Sequence, residues 1–191
     1  MLTHADLYSL EHYARIRPEY RARVMEHKKL RGVPLGEHAF LYFEDALTMQ
    51  YQVQEMLRLE NMVAPELIQE ELDVYNPLLP DGSNWKATFM VEYPDVDERR
   101  QALERLIGIE RAVWVRVAGF DKVQPMANED LDRETEDKTS AVHFLRFELT
   151  PAMIAALKAG AGLSAGIDHP NYSTTVEISD EVRSSLVADL A

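Results

Sequence analysis

The chain has 191 residues, 46% hydrophobic and 28% charged, which suffices for one well-cored domain or two small lobes sharing a core. Its net charge of −13 repels phosphate, so nucleic acid and anionic membrane surfaces are excluded as default partners. The absence of cysteine removes disulfides, thiolate metal sites, cysteine nucleophiles and any iron–sulfur cluster on this chain.

In chain order, Thr3-x-x-Asp6 fits a capped first turn, and apolar residues then recur at Leu10, Tyr13, Ile16, Tyr20 and Val24 with helical spacing. Pro18 interrupts that run, either as a kink or as the first residue of a second helix. Residues 1–31 carry seven Arg or Lys against four acids, read as a face that pairs within the molecule or meets solvent. After Gly32, VPLGEHAFLYFE predicts two short strands around Gly36-Glu37, Asp45 caps a helix over about 46–61, and Pro65 opens another that ends near Tyr75.

The second half alternates more cleanly. Strands are predicted at 85–93, 112–118, 142–149, 163–167 and 174–178. Helices are predicted at 95–107, with Val96, Leu103, Leu106 and Ile107 inward, from Thr150-Pro151 to Gly160, and from Ser179 to about Leu190. ANEDLDRETEDKTS, with six acids and two bases, is a long polar connection expected to be exposed and mobile. The order from 85 onward is β-α-β-β-α-β, the split-βαβ order, with residues 119–140 as its central hairpin. The predicted class is α+β. A helical N-terminal lobe with a short β-hairpin, 1–84, packs on a ferredoxin-like antiparallel sheet, 85–191, that carries an extra strand and helix. The two are expected to form one integrated unit, and such sheets are compatible with a homodimer. No apolar run reaches the ~20 residues of a membrane span, and the N-terminus lacks a signal-peptide plan, so a cytoplasmic protein is expected.

Gly162-Leu163-Ser164-Ala165-Gly166 matches the G-x-S-x-G pattern of a hydrolase nucleophile, with Asp168 and His169 following. The context is inverted, because a nucleophile elbow follows a strand and opens a helix, whereas here a helix ends and a strand begins. On an extended chain Ser164 and His169 lie roughly 16 Å apart, too far for a triad. The small residues are read as allowing a tight helix exit and close packing. His143 alternates with Leu145 and Phe147 and is placed on a sheet face, and His169 before Pro170 shapes a turn.

The least ordinary stretch is FEDALTMQYQVQEMLRLEN, 43–61. Met49, Val53, Met56 and Leu57 form an apolar stripe, beside which Glu44, Thr48, Tyr51, Gln52, Glu55 and Arg58 form a polar one, with Gln54 at its margin. Amides and hydroxyls are costly to bury unpaired, so this flank is either an internal hydrogen-bond network or the wall of a ligand pocket. As a pocket, Arg58 would bind an anion, and Glu44 or Glu55 would move a proton or hold a hard cation. Glu92 at a strand end, and Tyr75-Asn76 at a helix end, extend the candidate ligand-binding set. Glu44, Glu55, Glu92 and His169 form a candidate metal set for iron, manganese or zinc.

FED.LT..YQVQEMLRLEN, EEL..YNPLLP, ATFMVEYPD and DHPNY together resemble the bacterial family DUF3501 over nearly the whole chain. The resemblance carries Glu44, Thr48, Gln52, Glu55, Met56, Arg58, Glu60, Tyr75, Asn76, Glu92 and His169, and it brings no catalytic assignment. Members are often encoded near rubrerythrin-like and Cys-rich iron–sulfur proteins. The resemblance therefore implies a cytoplasmic accessory or small-ligand-binding protein linked to redox or oxidative-stress metabolism, with a rubrerythrin-like or iron–sulfur partner. A metal-dependent enzyme and a structural assembly module are the alternatives.

Overall fold

The computed structural model describes residues 1–191 and is α+β, with antiparallel sheets of five and three strands. No helix is long and apolar enough to cross a membrane. The contacts fall into two units, Met1–Leu30 with Glu44–Leu79, and Arg31–Phe43 with Pro80–Ala191.

The first unit is helical. Helix α1, Leu10–Lys29, starts at Ser9, whose side chain accepts from the His12 amide, and runs unbroken through Pro18. Tyr13, Tyr20 and Val24 lie on its buried face and cluster with Tyr51. Helix α2, Ala46–Leu59, opens in a capping box. Asp45 accepts from the Thr48 amide at 3.0 Å, and Thr48 Oγ1 accepts from the Asp45 amide at 2.9 Å. Helix α3, Pro65–Tyr75, follows, and Leu72 joins Val53 and Leu57 of α2 in a second apolar cluster.

The second unit begins with strands β1, Gly32–Pro34, and β2, Ala39–Phe43, a hairpin whose turn needs the left-handed φ of +79° at Gly36. Next come β3 (Asn84–Val91), α4 (Val96–Arg105), α5 (Ile109–Ala112), β4 (Val113–Val117), β5 (Met126–Ala127) and β6 (Val142–Glu148). The chain closes with α6 (Pro151–Lys158), β7 (Leu163–His169), β8 (Tyr172–Glu177) and α7 (Asp180–Val187). The large sheet runs β1-β2-β3-β6-β5 and the small one β4-β7-β8. One core serves both. Leu41, Phe43, Trp85, Phe89, Leu145 and Phe147 of the large sheet join Val113, Val115, Val117, Leu163, Ala165 and Ile167 of the small one. Arg31, 2% exposed, holds Asp189 with two guanidinium nitrogens at 2.5 and 3.1 Å and donates to the Phe43 carbonyl at 3.2 Å. It thereby ties the chain beyond α7 to the end of β2.

The structure differs from expectation in four places. The hairpin 31–43 belongs with the sheet rather than with the helices, because β2 pairs with β3 from Ala39↔Val91 to Phe43↔Ala87. The single ferredoxin-like sheet is two sheets. β3 pairs with β6 as the split order requires, but β4 pairs with β7, so residues 118–141 are not a hairpin joining sheet neighbours. That acidic connection is also anchored: β5 pairs with β6, Val123 bridges Val115, and the buried Thr139 donates its amide to the Leu103 carbonyl at 3.0 Å. Within α4, Ala102 turns inward while Val96 is 65% exposed.

The G-x-S-x-G run is packing material, as its context suggested. Ser164 and Gly166 lie inside β7, where Ser164 Oγ reaches only the Arg116 carbonyl, at 3.5 Å. A Cβ on Gly166 would stand 2.4 Å from both the Thr174 carbonyl oxygen and Trp114 Cζ2, whereas one on Gly162 would meet Ala118 Cβ at 3.8 Å. Gly166→Ala is therefore expected to lower the unfolding free energy by about 3 kcal/mol, and Gly162→Ala to change it by less than about 0.5 kcal/mol, as read by urea unfolding.

Candidate functional site

The polar flank of α2 turns inward, onto α1 and the N-terminal segment. Glu55 is its centre. Oε1 accepts from Tyr13 Oη at 2.8 Å and from Arg17 Nε at 2.8 Å, and Oε2 accepts from Arg17 Nη2 at 2.9 Å. Arg58 adds a looser fork at 3.4 and 3.1 Å. The Arg17 hydrogen bonds, with those of Arg58 and Tyr13, hold the Glu55 carboxyl down at about 2. Burial, then the Glu55 bond, pushes the Tyr13 phenol above its ordinary value. Gln54, fully buried, grips the backbone of Tyr8 by both its oxygen, at 2.6 Å, and its nitrogen, at 3.3 Å. Tyr20 Oη donates to Gln50 Oε1 at 2.8 Å, and Thr48 Oγ1 donates to Glu44 Oε2 at 2.6 Å. The flank is the internal network of the two readings. Gln52 is half-buried beside it.

The other sequence candidates are distributed. Tyr75 packs in the apolar cluster of α2 and α3. Asn76 accepts from the Leu2 amide at 2.8 Å and donates to its carbonyl at 3.0 Å, pinning the N-terminus. Glu92 belongs to the sheet unit, exposed, accepting from Tyr42 Oη at 3.4 Å on the rim of an open depression of about 550 Å³ that includes His38, Tyr93 and Arg99. Both nitrogens of His169 are engaged. Nε2 donates to the Ile107 carbonyl at 2.9 Å and Nδ1 accepts from the Asn171 amide at 3.1 Å, while Asn171 Nδ2 donates to the Arg105 carbonyl at 2.8 Å. Tyr172 Oη donates to the Leu35 carbonyl at 2.6 Å. DHPNY is thus a fastener at the end of α4. Glu44 and Glu55 stand about three helical turns apart, roughly 16 Å. Glu55 is engaged by two guanidinium groups, and no three His, Asp or Glu side chains in the chain are placed to hold one metal ion.

A second polar cluster escaped the sequence. Glu110, on the single turn α5, is 1% exposed, and its Oε1 accepts from Arg111 Nη1 at 2.9 Å. Its Oε2 is buried with no hydrogen-bond partner and lies 4.0 Å from His143 Nε2. His143 is fully buried. Its tautomer follows from its neighbours: the Phe144 amide donates to Asn128 Oδ1 at 3.2 Å, so Asn128 Nδ2 faces His143 Nδ1 at 2.9 Å, and Nε2 carries the proton toward the Ser140 carbonyl at 2.9 Å. Burial lowers the ring's pKa from 6.5, which keeps it neutral at pH 7. Asn128 takes a left-handed φ of +53°, uncommon without glycine. Glu110, Arg111, Asn128 and the carboxylates 129, 130 and 132 wall a cavity of about 460 Å³.

The sequence profile described as "Protein of unknown function (DUF3501)" matches residues 1–190. The chain belongs to the DUF3501 family. It is also similar to a solved structure described as "novel protein of unknown function" from Burkholderia pseudomallei K96243. The two are 52% identical, the match covers 100% of this chain and 99% of that one, and the TM-score is 0.95. No curated protein matches this DUF3501 chain.

Glu55 sets a pH dependence. Its folded pKa of about 2 lies below the ordinary 4.5, so its stabilisation is full above pH 4.5 and is lost as pH falls toward 2. Glu55→Gln is expected to reduce stability at pH 7 by about 1–3 kcal/mol, a difference that shrinks between pH 4.5 and 2 in urea unfolding. At pH 7, Arg17→Ala is expected to cost more than Arg58→Ala, in line with the shorter contacts of Arg17.

Proposed function

We propose that this DUF3501 protein is an accessory protein that binds a small ligand in the cavity at Glu110. One observation carries the reading: Glu110, which keeps one carboxylate oxygen inside the protein without a hydrogen-bond partner, is among the residues that line a cavity of about 460 Å³. A buried unpartnered acceptor costs about 1–3 kcal/mol, more when charged, and a ligand that draws the carboxylate round into the cavity and donates to it recovers that loss. The volume falls within the range usual for small-molecule pockets. A structural module would leave Glu110 unexplained, and a metal-dependent enzyme would need a donor set that the chain does not assemble. The tie to a rubrerythrin-like or iron–sulfur partner rests on the family resemblance, and no surface feature adds to it.

The test is a thermal-shift screen of small metabolites grouped by charge. A ligand at about one hundred times its Kd should raise Tm by about 5–10 °C. That shift is expected to vanish in Glu110→Gln and to persist in Arg58→Ala. Ligands that stabilise Glu110→Gln as much as the parent chain would overturn the site.

A further inference from the structure

We infer that the ligand taken at Glu110 is a small organic cation, bound through the N–H groups of an ammonium or guanidinium; this deepens the cavity reading above and rests on it. The argument is an account of which wall groups are already engaged. Arg111 is held between Glu110 Oε1 at 2.9 Å and Glu134 Oε1 at 2.8 Å. Glu129 is bound by Arg146 at 2.8 and 2.5 Å, and Asp130 by Arg133 at 2.5 and 2.6 Å. Every guanidinium around the cavity therefore already has its carboxylate, so none is left over for an anion. What remains beyond those pairs is acceptor capacity, at the exposed Asp132 and, once the Glu110 side chain turns toward the cavity, at its buried Oε2.

Sign and coordination number then select the ligand. With the pairing partners counted, the cluster carries five carboxylates, at 110, 129, 130, 132 and 134, against three guanidinium groups, of Arg111, Arg133 and Arg146, and the neighbouring His143 is neutral, so the local field favours a cation. A hard divalent ion takes six or more oxygen ligands, and no three acidic or histidine side chains gather for one. An ammonium has three donors and a guanidinium five, each satisfied singly by a carboxylate or carbonyl oxygen, and charge-assisted bonds of this kind are about twice as strong as neutral ones. Asn128 is itself fixed in the wall: its side chain bridges the Phe144 amide and His143, while its backbone holds the left-handed φ of +53°.

The test is a titration of the full chain with methylguanidinium chloride, methylammonium chloride, sodium acetate and sodium phosphate, at constant ionic strength, followed by two-dimensional amide NMR. Saturable shifts confined to residues 108–112 and 125–132 are expected with the two cations and not with the anions. Glu110→Gln is expected to weaken cation binding at least tenfold. Glu37→Gln, which removes the same charge from a side chain 92% exposed, should leave it unchanged and so controls for attraction to an acidic protein. Saturation by acetate or phosphate at the same residues would overturn the cation assignment while leaving the cavity reading in place. If no cation shifts these residues while a neutral metabolite from the thermal screen does, the assignment also falls. Absence of binding by any class would remove the cavity reading itself.

Discussion

A polar group taken out of water must be given a partner, and this chain meets that demand with long-range side-chain-to-backbone bonds. Gln54 holds Tyr8, Asn76 holds Leu2, Arg31 holds Phe43 and Ser185, and His169 holds Ile107. Three buried side-chain atoms escape: Trp114 Nε1, Arg183 Nε and Glu110 Oε2. The first belongs to a ring that lies under Lys122 Nζ at 4.2 Å, and the second to a guanidinium whose other nitrogens bind Ala161 and Asp180. Glu110 differs in kind, since a carboxylate oxygen concentrates charge and acts only as an acceptor.

The strings that mark the family are therefore largely fasteners. FED.LT closes the capping box of α2, and YQVQEMLR clamps α1 through Glu55 and the N-terminal segment through Gln54. YNP pins Leu2, and DHPNY ties β7 and β8 to the end of α4 and to the β1–β2 turn. Such motifs identify a fold by what holds it together. The cluster around Glu110 draws on residues of α5, the 118–141 connection and β6, none of which forms a compact string.

Legibility followed the range of the interaction. Local signals were readable: Asp45, Thr150 and Ser179 cap the helices they precede, and the alternation of His143, Leu145 and Phe147 put them on one sheet face, which is buried. The inward turn of the α2 flank was readable too, from amides where an exposed face would carry lysine. Strand partnership was not. Strand 113–117 pairs with 163–169, where Gly166 leaves room for Trp114, and that is a contact between residues far apart in sequence. The burial of Glu110 was equally hidden, because a single turn has no periodicity to show which side faces in.

The most direct measurement of the central claim is the unfolding free energy of Glu110→Gln against the parent chain, without added ligand, at pH 7. If Oε2 is held for a ligand, exchanging the charge for a neutral amide lessens the cost of the buried unpaired group by more than the weakened bond to the exposed Arg111 takes away, and stability should rise by about 1 kcal/mol. A fall of that size would show that Glu110 is one more fastener of the fold, and the account of the cavity would be contradicted.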